Sequence, residues 1–207
     1  MKTWVFDSQY IGSIYYFKAI CNSDKALIDL GENYIKSTYR NRCYIPGPNS
    51  ILLLTIPLRQ GKNQKKPMSK VEISYDHPWQ KLHWKTFCSC YQSAPYFEYY
   101  ENDFRELIFK DFKYLIQLNM AIFQWINEIL MLDIIIDYSN EYINADYSSI
   151  IDMRSRFEPK RLIKDPYKNK VPRYIQVFED KIGFKENMSI LDLIFNEGPN
   201  TVSYLLD

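Results

Sequence analysis

The chain has 207 residues, which fits one domain, and its 46% hydrophobic and 25% charged residues are typical of a folded globular protein. Its 26 basic residues nearly balance the 25 acidic ones. The resulting net charge of +1 excludes a global field that attracts nucleic acid or anionic membranes. Aromatic residues reach 16%, and we attribute most of the 18 tyrosines to compositional bias.

The first thirty residues predict a βαβ unit. Residues 4–6 and 26–30 are short apolar runs of strand type, and Ser13 is positioned to cap the helix between them. A strand, a helix and a second strand in this order favour a parallel pair. Because ligands gather beyond the carboxyl ends of parallel strands, we expect residues 7–12 and 31–36 near a binding site.

A second group of strand signals follows a proline- and glycine-rich turn at 46–49. The continuous apolar run 51–56 predicts a buried central strand, and the alternation at 71–74 predicts a short one. Between them, the segment 60–69 is rich in lysine. It is interpreted either as a solvated loop, which we favour, or as a flap that supplies cations to a phosphate.

The remainder of the chain is mainly helical in pattern. Helices are predicted between Pro78 and Pro95 and then over 97–109 and 114–132, where apolar residues recur with helical spacing. A late strand, a polar loop region and two short helices complete the prediction, at 134–136, 137–171, 174–181 and 190–195.

The predicted fold class is therefore α/β, with a βαβ-type start, a mixed and mostly parallel sheet, and a helix-rich C-terminal half. We expect a single domain over 1–207. Its sheet-rich half covers 1–76 and its mainly helical half covers 77–207, without a clear linker between them.

Most motifs that define enzyme classes do not occur. The sequence contains no Gly-rich phosphate loop, GxGxxG, HExxH, GxSxG or paired CxxC motif. Cys88 and Cys90 are spaced too closely for a zinc site, so we expect no metal and no cofactor. The apolar stretch 120–136 is interrupted by polar residues, and the first residues lack a secretory pattern. No membrane association is expected, and the cytoplasm is the expected location.

A general base that acts near neutral pH is either a histidine or a carboxylate with a raised pKa. His77 precedes a proline and is expected in a turn, whereas His83 falls one helical turn after Trp79. His83 is the better candidate if that helix lines a pocket. A hydrogen-bonded or surface histidine without a catalytic role is the competing interpretation.

A candidate anion clamp lies near residue 40. In an extended segment Tyr34, Lys36, Thr38, Arg40 and Arg42 share one face and form a cationic row. Such a row can hold a diphosphate or a carboxylate. An edge strand with protective charges explains the same pattern equally well.

Short polar and aromatic motifs follow one another in order along the chain. They are Tyr10 with Gly12 and Tyr16-Phe17; Tyr34, Lys36, Asn41 and Arg42; Leu54-Thr55-Ile56-Pro57; Trp79, His83, Tyr91, Pro95, Tyr96 and Phe97; and Asn196, Gly198 and Pro199. In this order and spacing they resemble the WbqC-like protein family over nearly the full chain. Many members carry a Gln-Pro pair and a second proline in the first loop, where this chain has Asp7-Ser8 and Gly12.

The family is found in surface-polysaccharide (O-antigen) gene clusters and widely in Bacteroidetes. The resemblance therefore implies a transferase that places an acyl or aminoacyl group on the amine of a nucleotide-linked amino sugar. In that role, His83 takes a proton from the attacking amine. The implied substrate-binding residues are Lys36, Arg40 and Arg42 on phosphates, Trp79 or Tyr91 as stacking rings, Asn41 and Asn196 on hydroxyls, and Tyr10, Tyr34 and Tyr96 as further contacts.

Two other functions are compatible with the sequence. The absence of a standard catalytic motif fits a noncatalytic module that binds a nucleotide sugar or a protein partner. RNA binding is a weaker alternative, which applies if an aminoacyl-tRNA is the donor and contacts local basic patches at 59–70 and 154–164. The oligomeric state is left open.

Overall fold

The computed structural model describes residues 2–132, 134, 136–158 and 171–206. The strands in these ranges are β1 (Thr3–Phe6), β2 (Lys25–Asp29), β3 (Arg42–Pro46), β4 (Ile51–Thr55), β5 (Ile136–Ser139) and β6 (Ile150–Asp152). The helices are α1 (Ile14–Cys21), α2 (Trp79–Tyr91), α3 (Phe97–Phe109), α4 (Leu115–Ile129), α5 (Glu179–Ile182), α6 (Ile190–Glu197) and α7 (Thr201–Leu206). This mixture confirms the predicted α/β class.

The main sheet is parallel and has the strand order β5-β2-β1-β6. Trp4 in β1 lies between Ala26 of β2 and Ile151 of β6. Because α1 connects β1 to its parallel neighbour β2, the predicted βαβ start is confirmed. All four strands run the same way, so their carboxyl ends meet at one edge of the sheet, after Phe6, Asp29, Ser139 and Asp152.

Residues 137–171 are predicted to be polar and rich in loops, but they supply β6 and most of β5. β5 and β6 have four and three residues and form the outer strands. Strands this short contain too few residues to show a period of two. The strand predicted at 134–136 starts later, at Ile136, and Ile135 lies outside the described residues, as do residues 159–170.

Helix α1 occupies the interior of the molecule. The Ser13 side chain accepts a hydrogen bond from the Tyr16 backbone N–H, which confirms the predicted cap. Every residue of α1 from Ile14 to Ile20 is buried. At its other end, the Asn22 amide donates to the backbone carbonyl of Leu205 and so joins α1 to α7.

The run 51–56 is not the buried central strand that its composition predicts. β4 pairs antiparallel with β3 alone, and the two form a hairpin around the turn at 47–50. Only one face of β4 packs inward, so Ile51 and Leu53 are 41% and 45% exposed. The segment 71–74 makes only isolated bridges, among them Leu58 to Ile73, instead of a strand.

The predicted extended row over residues 34–42 is also wrong. Thr38 caps a 3-10 helix at Tyr39–Asn41, and Ser37 has a left-handed backbone with φ of 63°. This turn rotates successive side chains to different sides of the chain. Lys36 consequently points to solvent, whereas Arg40 is completely buried.

Helices α2, α3 and α4 match their predicted positions to within a few residues. Their apolar faces meet around Phe104, whose ring is 5.1 Å from Phe87 and 5.3 Å from Trp125. Phe195 of α6 closes the same cluster at 6.1 Å. These aromatic contacts connect the helical part into one hydrophobic core that also includes α1.

The C-terminal helices are partly as predicted. α6 begins after Ser189, whose side chain accepts from the Leu191 N–H, so this predicted cap is confirmed. The helix predicted over 174–181 is reduced to the single turn α5, which ends at Gly183 with φ of 70°. The residues before α5 are not helical. Among them, the Gln176 side-chain amide donates hydrogen bonds to the Lys185 backbone carbonyl and to the Asp192 carboxylate.

Every helix in the part of the chain that the structure describes falls short of the length and apolarity needed to traverse a lipid bilayer. The organisation as one domain with halves 1–76 and 77–207 stays a prediction. The main sheet nevertheless combines strands from both halves.

Candidate functional site

An open cleft of about 400 Å³ lies at the carboxyl edge of the parallel sheet. It is formed by the segments that leave β2 and β6, together with the loop after β5. Its lining residues are Glu32, Asn33, Ile35, Arg40, Tyr142, Asp152, Arg154 and Ser155. This carboxyl-edge cleft is where the ligands of parallel α/β sheets are generally found.

Arg40 lies at the bottom of the cleft with 0% of its surface exposed. Its guanidinium donates to both carboxylate oxygens of Glu32, at 2.9 and 2.7 Å, and to the Ser155 hydroxyl at 3.1 Å. Asp7 and Glu158 lie 3.5 and 3.7 Å away. Burial opposes the charged form, but these carboxylates raise the pKa of Arg40 above its ordinary value, so its charge is permanent.

Glu32 is the titratable carboxylate at this site. The pKa of Glu32 is raised to about 7, mainly by burial and also by the negative charges of Asp7 and Asp29. The hydrogen bonds and the charge of Arg40 act in the opposite direction and lower it. Three carboxylates compete for the one guanidinium of Arg40, which is consistent with the raised pKa. The pKa of Glu32 therefore lies above that of an ordinary glutamate, while Arg40 fixes the position of its carboxylate.

A second guanidinium forms the opposite wall. Arg154 donates to Asp29 at 2.5 Å and to both oxygens of Asp152 at 2.9 and 2.7 Å. Although burial opposes it, this hydrogen bonding holds the pKa of Asp152 below its usual value. The Tyr142 ring lies 4.7 Å from the Arg154 guanidinium carbon and is 63% exposed, so a flat ring stands at the rim.

Among the described residues, the ion pairs around the carboxyl-edge cleft contain more acids than bases. Arg40 and Arg154 are shared among five carboxylates, those of Asp7, Asp29, Glu32, Asp152 and Glu158. Across the described residues, no group of three or more His, Cys, Asp or Glu side chains is arranged to hold a metal ion. The lining itself holds two carboxylates, Glu32 and Asp152, beside two guanidiniums, Arg40 and Arg154. The carboxylate oxygens of Glu32 and Asp152 are suited to a cationic group on the ligand, such as an ammonium.

His83 lies away from this cleft. It is 2% exposed, its Nδ1 is 2.9 Å from the Tyr10 hydroxyl, and the Trp79 ring contacts it at 5.2 Å. Burial lowers the pKa of His83 to about 4, although a hydrogen bond with the Thr55 backbone acts in the opposite direction. Tyr10, Trp79 and His83 thus form a packed internal cluster. The assignment of His83 as proton acceptor stays a prediction, which its burial does not support.

Three other predicted residues lie at the junction of α2, α3 and α6. The Tyr91 hydroxyl donates to Asp192 at 3.0 Å, and the Asn196 amide donates to the Asp192 backbone carbonyl at 2.6 Å. The Tyr96 ring packs directly on Gly198, where an added Cβ would lie 2.4 Å from a ring carbon. The structure brings these residues together, but far from the lining of the carboxyl-edge cleft.

The remaining predicted residues surround the segment 34–42. The Tyr34 hydroxyl donates to Asn41 at 3.0 Å, and the Asn41 amide donates to the Ile56 carbonyl at 2.8 Å, which connects this segment to the hairpin. Arg42 is half-buried at the start of β3, and its Nε has no hydrogen-bond partner among the described residues. Lys36 donates to the Asn63 side chain at 2.9 Å.

Sequence reasoning missed Asp29, Glu32, Tyr142, Asp152, Arg154 and Ser155 as site residues. A signal was available for two of them, because Asp29 lies near the end of the predicted strand 26–30 and Glu32 lies in the segment 31–36 that was expected near a binding site. The other four follow or end β5 and β6, which were too short to be recognised. The basic patch proposed at 154–164 lies partly outside the described residues, from 159 onwards.

The fold and the carboxyl-edge cleft define an α/β protein with a ligand-type cleft at a parallel sheet edge. A comparison with models of protein families matches residues 7–167, more than half of the chain, to the WbqC-like protein family. The chain therefore belongs to the WbqC-like protein family, which confirms the resemblance. The motif at Asn196, Gly198 and Pro199 lies beyond the matched residues. Comparisons with curated proteins and with solved structures give no match.

Proposed function

We propose that this protein acts in surface-polysaccharide synthesis by transferring an acyl or aminoacyl group to the amine of a nucleotide-linked amino sugar. The observation that carries the proposal is the position of Glu32. A carboxylate with a pKa of about 7 lines the cleft at the carboxyl edge of the sheet, together with a second carboxylate, that of Asp152. Such a group is suited to bind an ammonium and to accept its proton.

The chemistry follows from the charges. The substrate ammonium binds beside Glu32 and Asp152, and Glu32 takes one proton to give the nucleophilic amine. The amine nitrogen then bonds to the carbonyl carbon of the donor, a thioester or an ester. The C–S or C–O bond breaks, and the thiolate or alkoxide leaves with a proton. Tyr142 offers an exposed ring face for the sugar or the base.

Arg40 is a positioning residue in this scheme. Its two hydrogen bonds to Glu32 orient the carboxylate, and its contact with Ser155 joins the β2 side of the cleft to the β6 side. Asp7 holds the same turn, since its side chain accepts from the Ser155 backbone N–H at 3.0 Å. The geometry of the base therefore depends on groups that do not touch the substrate.

The first test is Glu32→Gln in a transfer assay. Purified protein is incubated with diphosphate-linked amino sugars and with acyl-CoA or aminoacyl-tRNA donors, and N-acylated product is measured by mass spectrometry. Loss of a general base should lower kcat about 100-fold or more. Glu98→Gln on the exposed side of α3 is the matched control and should not change the rate. An unchanged rate in Glu32→Gln would remove Glu32 from the chemistry.

A noncatalytic module that binds the nucleotide sugar is the second candidate. One observation favours it: both Glu32 oxygens already accept hydrogen bonds from Arg40, which competes with proton acceptance. This function predicts saturable binding of the sugar nucleotide without product under any donor. Thermal unfolding of wild type and Glu32→Gln with the sugar nucleotide separates binding from turnover.

A further inference from the structure

A second cleft, of about 380 Å³, adjoins the carboxyl-edge cleft, and Ile35 lines both. We call it the lysine cleft because three lysines and no carboxylate line it. Its complete lining is Tyr34, Ile35, Lys36, Lys62, Asn63, Gln64 and Lys65. The chain after β2 forms one side, and the loop between β4 and α2 forms the other.

The loop that carries two of these lysines is anchored to the fold. The Tyr34 backbone N–H donates to the Lys66 carbonyl at 2.8 Å, and the Met68 N–H donates to the Glu32 carbonyl at 2.8 Å. Gln64 closes the loop on itself through a bond from its amide to the Gly61 carbonyl at 2.9 Å. The side chains therefore project from a fixed turn that shares backbone bonds with the Glu32 segment.

The positive charge of the lysine cleft is not neutralised by neighbours. Within residues 2–132, 134, 136–158 and 171–206, Lys36, Lys62 and Lys65 make no ion pair, and Lys36 is held by the neutral Asn63 side chain. By contrast, Lys25 and Arg59 pair with Asp137 and Glu72. Like charges in one cleft repel each other, and an anion with several charges relieves this repulsion.

We propose that the lysine cleft binds a diphosphate, with the ammonium groups of Lys36, Lys62 and Lys65 on its phosphoryl oxygens. Ile35 then marks the boundary across which the ligand passes into the carboxyl-edge cleft. The placement of the sugar amine beside Glu32 rests on the proposed function, whereas the diphosphate site does not. The substrate thus lies with its anionic part among lysines and its cationic part among carboxylates.

The size of the site favours a small ligand over RNA. The three lysines that line the cleft surround one volume of about 380 Å³, and the chain has a net charge of only +1. A protein that binds an RNA duplex or stem needs a wider basic surface than this. A diphosphate, which carries two to three negative charges in a compact group, matches the three ammonium groups.

The test is titration calorimetry of the full chain with UDP and with inorganic pyrophosphate at low salt. We expect both to bind, and we expect the double variant Lys62→Ala/Lys65→Ala to weaken UDP binding at least 10-fold. Lys70→Ala is the matched control, since this exposed lysine belongs to the same loop but does not line the cleft. The thermal unfolding of each variant without ligand monitors folding.

Absence of pyrophosphate binding, or equal weakening by Lys70→Ala, would overturn the diphosphate site. Binding of tRNA that Lys62→Ala/Lys65→Ala weakens, without any binding of UDP, would overturn it in favour of an RNA surface. The transfer assay separates the two proposals. If UDP binding depends on the lysines but no transfer occurs, the diphosphate site is supported and the proposed transferase function is refuted. Transfer with an unchanged KM for the sugar nucleotide in the double variant refutes the site alone.

Discussion

At the scale of single residues, Arg40 and His83 show two opposite consequences of burial. Arg40 is completely enclosed and keeps its charge because Asp7, Glu32 and Glu158 face it. His83 is enclosed by neutral groups and loses its proton instead. Burial of a charge is costly unless opposite charges accompany it, so the partners of each group decide its protonation state.

The state of His83 has a consequence for stability. An unfolded histidine has its ordinary pKa near 6.5, whereas burial lowers the pKa of His83 to about 4. Between these values the unfolded chain binds a proton that the folded chain does not. The stabilisation is therefore complete above pH 6.5 and is lost as the pH falls towards 4. Its size is on the order of 3 kcal/mol.

We therefore predict that His83→Gln flattens the acid part of the stability profile. The measurement is the free energy of unfolding in urea, for wild type and variant, at pH 7 and at pH 4.5. The wild type should lose more stability than the variant over this range. His77→Gln is the control at an exposed position. Parallel profiles of wild type and His83→Gln would show that His83 does not titrate differently in the two states.

The buried carboxylate of Asp192 provides a second prediction. Burial raises the pKa of Asp192 to about 6, against hydrogen bonds from Tyr174, Gln176 and Tyr91. Since the folded pKa is above the unfolded one, Asp192 stabilises the fold at low pH. This contribution is lost as the pH rises through 6.

Tyr174→Phe removes one donor and should raise the pKa of Asp192 further. We expect a loss of about 1–3 kcal/mol at pH 8 and a smaller loss at pH 5, because the donated bond stabilises the ionised form. Urea unfolding at the two pH values measures the difference, with the exposed Tyr99→Phe as control. A loss that is the same at pH 5 and pH 8 would contradict the assigned role of Asp192.

Residue types that form the site were visible in the sequence, but their partners were not. Lys36, Arg40 and Arg42 were placed on one face only because the segment was taken as extended. A single left-handed residue, Ser37, and the cap at Thr38 separate them. The backbone conformation of one residue depends on contacts distant in sequence, such as the Tyr10 N–H bond to the Tyr39 carbonyl.

At the scale of elements, the loop after β5 forms a wall of the carboxyl-edge cleft and packs tightly on Gly31. The Asp29 carboxylate accepts from the backbone N–H groups of Gly31, Glu32 and Ile143, and so ties the turn after β2 to this loop. A Cβ on residue 31 would lie 2.3 Å from the backbone of Glu141 and Tyr142. Only glycine allows the two segments to approach this closely.

Gly31→Ala should therefore displace the loop that carries Tyr142. We expect lower stability, by about 1–3 kcal/mol, and weaker binding of the sugar nucleotide by the folded fraction. Thermal unfolding and calorimetry with the sugar nucleotide measure the two effects. Gly183→Ala is the matched control, because its positive φ makes it destabilising while its added Cβ meets open space away from the cleft. Equal effects of both variants on binding would contradict the role of the loop after β5 as a wall of the carboxyl-edge cleft.

Elements with a strong local pattern were predictable, and the rest were not. α2, α3 and α4 each span several turns, so their 3.6-residue period is evident in the sequence. β5 and β6 are defined only by their pairing with β2 and β1, more than a hundred residues earlier. The exposure of Ile51 and Leu53 in β4 likewise arises because one face of the strand is left uncovered in the described structure, which composition does not reveal.

At the scale of the whole molecule, two charge environments lie side by side at one edge of the sheet. The lysine cleft is lined by lysines without carboxylates, the carboxyl-edge cleft contains paired carboxylates and guanidiniums, and Ile35 belongs to both. Neither is visible in the net charge of +1, since opposite charges cancel over the whole chain. Local segregation of charge is a property of the fold, and it orients a dipolar ligand without any net attraction between protein and ligand.

The late position of β6 in the chain affects how the protein is made. Until residues 150–152 leave the ribosome, β1 has no neighbour on one side, and its backbone N–H and C=O groups remain unpaired there. Synthesis at roughly 5–20 residues per second leaves this interval on the order of 10 s after β1 and β2 are complete. During that time the nascent chain carries an open strand edge, and Arg40 lacks its contact with Ser155. Completion of the chain covers this edge of β1 with β6, so that the outer strand on this side of the sheet is only three residues long. A short outer strand offers little backbone for intermolecular pairing, so the hazard is greatest while the chain is unfinished.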